Sequence, residues 1–339
     1  MKIKSIFFVI FLITSALLGG CNTDSSAKTD QSENKNNETK LTVYTTIFPI
    51  EDFTKKVGGN HVEVKSVYPP GADAHSFEPT MRTMMDIADA DLFIFNGAGL
   101  EPFINNTKSS LSKEKVKMVE ASNGIDFLSG QDDHDHGPDE ADHDNANADE
   151  HDDHEHADDE HDHHHDKDPH IWLDPIHAIK IAENIKDALT EAMPSAKDDF
   201  EKNFQDVKQE LEQIDNDLQK TVDAADHKEI LVSHASYGYW EHRYGLKQIS
   251  ISGLSPENEP SQKQLQTIIE TANEHHISYI IYDQNPVTKV ADVVKKETGT
   301  TPVTLHNLEY ITENDLKNKE DYFSIMHKNI ETLKKVLAN

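Results

Sequence analysis

From Leu41 onward, short β-branched runs alternate with amphipathic stretches, and this alternation limits the fold more than any other feature of the chain. Leu41–Thr46, Val62–Val67, Asp91–Phe95 and Lys117–Val119 read as strands. Helices are expected between them, from about Pro49 to Val57, Thr80 to Ala88 and Glu101 to Ser110. The order resumes with strands Glu229–His234, Gln248–Ile251, Ser278–Tyr282 and Pro302–Leu305. Helices Trp240–Tyr244, Ser261–His275 and Val287–Thr298 separate them, and one closing helix runs over Leu316–Leu337. Strands joined through helices pair in parallel and bury both faces, so the expected fold is α/β with two lobes, each a parallel sheet sandwiched between helices. Ligands in such folds bind where strands end and in the crevice between lobes.

Between the two strand groups lie a helix over 175–193 and a second long one from Ser195 to about Ala225. Asp174 and Pro175 make a natural N-cap and first turn for the former. Ile179, Ile181, Ile185, Leu189 and Met193 follow helical spacing, and Pro194 stops the run. We read 41–174 as an N-terminal lobe, 175–193 as the linking helix and 194–339 as a C-terminal lobe. The linking helix holds no glycine, hence no obvious hinge.

Residues 128–168 interrupt the pattern with Asp, Glu, His, Asn, Ala and Gly and no apolar period, which predicts a disordered loop. Its 17 acidic residues between Asp132 and Asp166, with no Lys or Arg, supply more than half of the net charge of −31. The remainder is an ordinary acidic body with no basic face, which argues against nucleic acid as a partner.

The amino end sets the compartment. Lys2 and Lys4 precede an apolar run from Ile6 to Leu18, too short to span a bilayer, and Gly19-Gly20 follow. Residues 1–20 therefore read as a signal peptide. Leu18-Gly19-Gly20-Cys21 resembles the bacterial lipobox, which implies cleavage before Cys21 and lipid attachment there; an ordinary secretory peptide ending at a free cysteine is the alternative. Several acyl chains on Cys21 would anchor the protein stably, with 21–40 as a polar tether outside the cytoplasm. Cys21 is the one cysteine, so stability must come from a packed core rather than disulfides.

Histidine carries the chemistry: the chain has 21. Ten lie in the acidic loop: His134, His136, His143, His151, His154, His156, His161, His163, His164 and His165. Imidazoles mixed with carboxylates bind borderline cations such as Zn²⁺ loosely when the chain has no fixed geometry. Three others stand at turns or strand ends. His75 follows the second strand, His170 precedes the linking helix, and His234 ends a strand. Alone, each would read as a core or surface histidine. Together they can converge on one crevice, where three imidazoles and a carboxylate close a four-ligand site. His275 and His276 suit a helix C-terminus, and His61, His177, His227, His242, His306 and His327 show no partners in sequence.

His75-Ser76-Phe77-Glu78-Pro79, Asp168-Pro169-His170-Ile171-Trp172-Leu173-Asp174-Pro175, Ser233-His234-Ala235-Ser236-Tyr237-Gly238-Tyr239-Trp240 and Gly253-Leu254-Ser255-Pro256-Glu257-Asn258-Glu259-Pro260 occur in this order. On these motifs the chain, over 41–339, resembles the metal-binding lipoproteins that serve as solute-binding subunits of bacterial zinc and manganese ABC importers, the ZnuA/AdcA-like group. The resemblance implies two lobes on one rigid helix and a monomer that delivers Zn²⁺ to an ABC transporter permease and its ATPase. It implies His75, His170 and His234 as metal ligands, and by position Glu309 as the fourth. Asp283 is a rival for the fourth place because it too ends a strand, and a water is a third option. Three nitrogens favour Zn²⁺ over Mn²⁺. A manganese-binding homologue and a surface adhesin are the alternative functions. A zinc enzyme is disfavoured, because no His-Glu-x-x-His or nucleophile motif is present.

Overall fold

The protein is described from a computed structural model over residues 40–129, 167–284 and 289–338. The expected signal peptide, Cys21, nearly all of the tether, the ten loop histidines and the first residues of the expected Val287–Thr298 helix lie outside the described residues.

The first half builds β1 (Leu41–Thr45), α1 (Phe48–Gly58), β2 (Val62–Ser66), α2 (Met81–Ala88), β3 (Leu92–Phe95), α3 (Ile104–Ser110) and β4 (Lys117–Glu120). Its sheet has the order β2-β1-β3-β4 with every pair parallel. Then come α4 (Pro175–Ala192) and α5 (Lys197–Asp223). The second half continues with β5 (Glu229–His234), α6 (Gly238–Tyr244), β6 (Lys247–Ser252), α7 (Gln262–Glu274), β7 (Tyr279–Tyr282), α8 (Lys289–Thr298), β8 (Thr301–Thr304), α9 (Glu313–Asn318) and α10 (Tyr322–Leu337). Its sheet, β6-β5-β7-β8, is again all parallel. β3 is buried at every residue and β5 from Ile230 on, as expected of central strands covered on both faces.

Each half carries its functional loops at the C-terminal ends of its strands, and in a parallel sheet all of those ends point the same way. The two sheets are not independent bodies: residues 39–339 form one compact unit. What welds them is the stretch before α4. Ile171, Trp172 and Leu173 are fully buried. The Trp172 indole N–H donates to the Asn307 carbonyl (2.7 Å), the Trp240 indole N–H to the Leu173 carbonyl (2.7 Å), and the Tyr322 hydroxyl to the Trp172 carbonyl (2.6 Å).

The long helices show how the halves are connected. Asp174 caps α4, accepting from the backbone N–H of Ile176 and His177, while its other oxygen takes the Arg243 Nε–H at 2.7 Å. Asn184 on α4 donates to the carbonyls of Ala121 and Asn123 (2.8 Å each), so α4 lies along the first half. α5 touches both halves. Near its start Asn203 donates to the Val57 carbonyl (3.0 Å), and further on Asp215 accepts the Tyr244 hydroxyl (2.9 Å). Its 27 residues span about 40 Å, and Phe200, Phe204, Val207, Leu211, Ile214 and Leu218 bury one face at helical spacing.

One expected element splits. In place of a single helix over Leu316–Leu337 the chain forms α9 and α10. Lys319 adopts a left-handed φ of 58°, and Asp321 then opens α10 by accepting the Ser324 N–H. Thr312 caps α9 in the same way, through the Asp315 N–H. The Asp321 capping box, inside the apolar-periodic run, satisfies backbone donors that a continuous helix would not leave free.

The buried weld sets the first test. Trp172→Ala is expected to destabilise the protein by about 3–5 kcal/mol, because it opens a cavity and strands the Asn307 carbonyl. Chemical denaturation followed by circular dichroism measures this; a loss under about 1 kcal/mol would mean the two halves are not joined through this segment.

Candidate metal centre

Three loops and a strand end converge at the top of the two sheets. The turn after β2 uses Gly71 in a left-handed conformation (φ 81°). Asp73 Oδ1 then accepts the His75 backbone N–H at 2.8 Å, closing a local turn that presents the imidazole. His170 sits on the buried weld. Asp168 Oδ1 accepts both its backbone N–H (2.9 Å) and its ring Nδ1 (2.8 Å). His234 is the last residue of β5, and its Nδ1 faces Asp283 Oδ2 at 2.7 Å. Glu309 follows β8 in a loop where Leu308 takes φ 63°. Asn307 Oδ1 accepts the Glu309 N–H (3.1 Å), and the Gln284 side-chain amide in turn donates to that same oxygen at 2.7 Å.

The result is tight. His75, His170 and His234 each offer a ring nitrogen, and these nitrogens lie within 4.8 Å of one another. The Nε2 atoms of His170 and His234 are 3.3 Å apart. His75 Nε2 is buried with no hydrogen-bond partner and lies 3.8 Å from Glu309 Oε2. Glu309 Oε1 accepts the Ala74 backbone N–H at 2.6 Å, while Oε2, which takes a long 3.5 Å bond from the Asn307 side-chain amide, faces His75 Nε2. Among the described residues this is the group of His, Asp, Glu or Cys whose donor atoms come together at metal-binding distance.

The electrostatics fit a cation. Burial, reinforced by His170 and His234, pushes the His75 ring down to about 2, so it is neutral and carries a free lone pair. Burial also lowers His170, against the pull of Asp168. For His234 burial acts downward, but Asp283 outweighs it and the group is raised. Burial, with Asp73 beside it, pushes Glu309 up to about 7. Burial thus keeps two imidazoles neutral with their lone pairs available, and makes the carboxylate costly to ionise unless a cation sits beside it. With a divalent cation there, three neutral imidazoles and one carboxylate would leave a net charge of about +1.

The structure thus brings together all three histidines singled out in the sequence, with Glu309. Asp283 is close, but its carboxylate is engaged on the outer nitrogen of His234 and with the Ser233 hydroxyl (3.2 Å). His177 packs its ring on Tyr239, with Nδ1 3.5 Å from Asp174. Sequence reasoning assigned no role to Asp168 or to the Asn307–Gln284 pair. For Asp168 a signal existed, an acidic residue two positions before a candidate ligand; for the amide pair there was none.

Comparison with known proteins places the chain. The ZnuA family profile, described as zinc-uptake complex component A, periplasmic, matches residues 43–336. The zinc-binding protein AdcA of Streptococcus pyogenes is 35% identical over 297 residues, covering 88% of this chain and 56% of that protein. The chain therefore spans little more than half the length of these streptococcal relatives. The high-affinity zinc uptake system protein ZnuA of Bacillus subtilis is 31% identical over 96% of both chains. The Zn(II)-bound ZnuA-like domain of Streptococcus pneumoniae AdcA superposes with a TM-score of 0.70 at 31% identity, over 88% of this chain and 100% of that one. A profile match across nearly the whole described body, over the same residues that build the histidine cleft, means that this chain belongs to the ZnuA family.

Proposed function

We propose that the protein captures Zn²⁺ outside the cytoplasm, held to the membrane by lipid on Cys21, and passes the ion to an ABC transporter permease driven by its ATPase. The observation that carries this is the convergence of three ring nitrogens within 4.8 Å beside a buried carboxylate. Zn²⁺ is the cargo and His75, His170, His234 and Glu309 are its ligands. Nitrogen-rich, four-ligand surroundings favour Zn²⁺ over Mn²⁺, which prefers more oxygen. Four protein ligands leave no open position for an activated water, so the role is binding and not catalysis. Residues 41–174 and 194–339 act as the two lobes. The link falls on α4 and α5 together, with α5 touching both sides, and this stiff connection keeps the cleft preformed. The protein works as a monomer.

Zinc content by mass spectrometry, with affinity from chelator competition, tests the site. Each of His75→Ala, His170→Ala and His234→Ala is expected to weaken zinc binding by more than the roughly 10- to 100-fold typical of losing a residue that only supports a ligand. Glu309→Ala is expected to do the same, while Asp283→Ala falls within that range. Undiminished tight binding in the triple histidine variant would sink the assignment.

Affinity should depend on pH in a set direction. Zn²⁺ binds the unprotonated forms, and the two groups whose titration is raised are His234 and Glu309. Both hold protons more readily as pH falls, so affinity drops as pH is lowered below about 7, and binding near neutrality releases protons. Calorimetry in two buffers of different ionisation enthalpy reads the protons released; a heat independent of buffer would contradict it.

The acidic loop gathers ions for the cleft, its imidazoles and carboxylates binding loosely and raising the local concentration. Deleting 132–166 should slow growth in zinc-limited medium while leaving stoichiometric tight binding at the cleft. Unchanged growth of the deletion strain would remove the loop from zinc acquisition.

A further inference from the structure

We propose that Asp168 and Asp283 are positioning residues that hold His170 and His234 in the tautomer with Nε2 bare, and that Gly238 secures this by leaving Asp168 the space it occupies. A carboxylate oxygen accepts, so the ring nitrogen facing it carries the hydrogen. Asp168 Oδ1 faces His170 Nδ1 at 2.8 Å, and Asp283 Oδ2 faces His234 Nδ1 at 2.7 Å. Both rings then turn Nε2, the nitrogen outside the clamp, inward; the two stand 3.3 Å apart, at hydrogen-bond distance, until an ion takes both lone pairs.

The two clamps are built alike. One oxygen of Asp168 accepts from the ring and from the backbone N–H of the same histidine, so ring and main chain are held by a single atom. One oxygen of Asp283 accepts from the His234 ring and from the hydroxyl of the preceding Ser233. His75 differs: Asp73 holds its backbone N–H, and its ring has no carboxylate clamp among the described hydrogen bonds. The buried pair is thus rigidly aimed, and the more exposed third ligand completes the set.

Gly238 is the unexpected member. A Cβ added there would lie 2.6 Å from Asp168 Oδ2. The clash cannot be relieved by moving the Asp168 backbone easily. Its N–H donates to the Leu128 carbonyl (3.0 Å) and its carbonyl accepts the Tyr239 hydroxyl (2.8 Å). The side chain must rotate away, taking the acceptor from His170. Gly238 has no left-handed φ and opens α6, so alanine there meets no backbone strain and has the better helix propensity. The substitution should therefore weaken the site by displacing Asp168, without melting the helix.

The affinity arm rests on the zinc reading above; the tautomer arm does not. Long-range ¹⁵N–¹H imidazole spectra of the metal-free protein report which ring nitrogen carries hydrogen, and chelator competition with Zn²⁺ reports affinity. Gly238→Ala and Asp168→Ala are expected to convert His170 from the pure Nδ1–H form to a mixture, leave His234 unchanged, and lower zinc affinity about 10- to 100-fold. Asp283→Ala should do the same at His234 alone. Asp168→Asn, whose side-chain oxygen still accepts, should restore the His170 tautomer and part of the affinity. If Asp168→Ala does not fold, Gly238→Ala and Asp168→Asn carry the test. A His170 tautomer unmoved in Gly238→Ala, or wild-type affinity in that variant, overturns the proposal. Were the imidazoles not zinc ligands, His75→Ala would bind zinc as the wild type does while the tautomers still responded, so the two readings fail separately.

Discussion

The hydrogen bonds that bury Ile171-Trp172-Leu173 between the sheets are what the rest of the molecule depends on. Two indole N–H groups and one tyrosine hydroxyl, from Trp172, Trp240 and Tyr322, satisfy the carbonyls of Asn307, Leu173 and Trp172 and so tie this segment to the second half. An irregular segment at this depth would be costly without such partners. With them, it joins the halves and seats His170 beside His234 and His75. The same few residues therefore determine both cohesion and site geometry.

Around that seat, burial works against charge of either sign. Burial opposes protonation of His75 and His170, and it opposes ionisation of Glu309. Glu309 illustrates the division of labour within one side chain. Oε1 accepts the Ala74 N–H and so ties the His75 turn to the second half, while Oε2 faces the imidazoles. Asp168 and Asp283 act one layer out, on ring nitrogens that do not face the centre. Side chains held this firmly move little, in keeping with long helices α4 and α5 that contain no glycine.

Much of this was legible in the residues alone. Alternating β-branched runs and amphipathic stretches predicted parallel sheets, and three histidines at turns or strand ends stood out from the others by position. Glu309 emerged through its place in the family pattern, since nothing local separates it from Asp283, which also ends a strand. Their difference is one of orientation: the Asp283 oxygen meets the outer nitrogen of His234, whereas Glu309 Oε2 lies beside His75 Nε2. Asp168 was in plain view within a motif, but its clamp on His170 depends on a turn that brings residue i back to residue i+2. The break between α9 and α10 was missed because apolar spacing persists across it, while the deciding contacts are local caps at Thr312 and Asp321.

By itself the sequence determined most of the elements, their parallel arrangement and the kind of donor available, because periodicity and side-chain chemistry are local properties. The tertiary structure alone decided which donors meet, which carboxylate faces the centre and which stands behind an imidazole. Those outcomes depend on where loops from separate strands end in space, and on contacts such as Asp168 against Gly238, 70 positions apart. No local preference encodes that distance; only packing of the whole chain sets it.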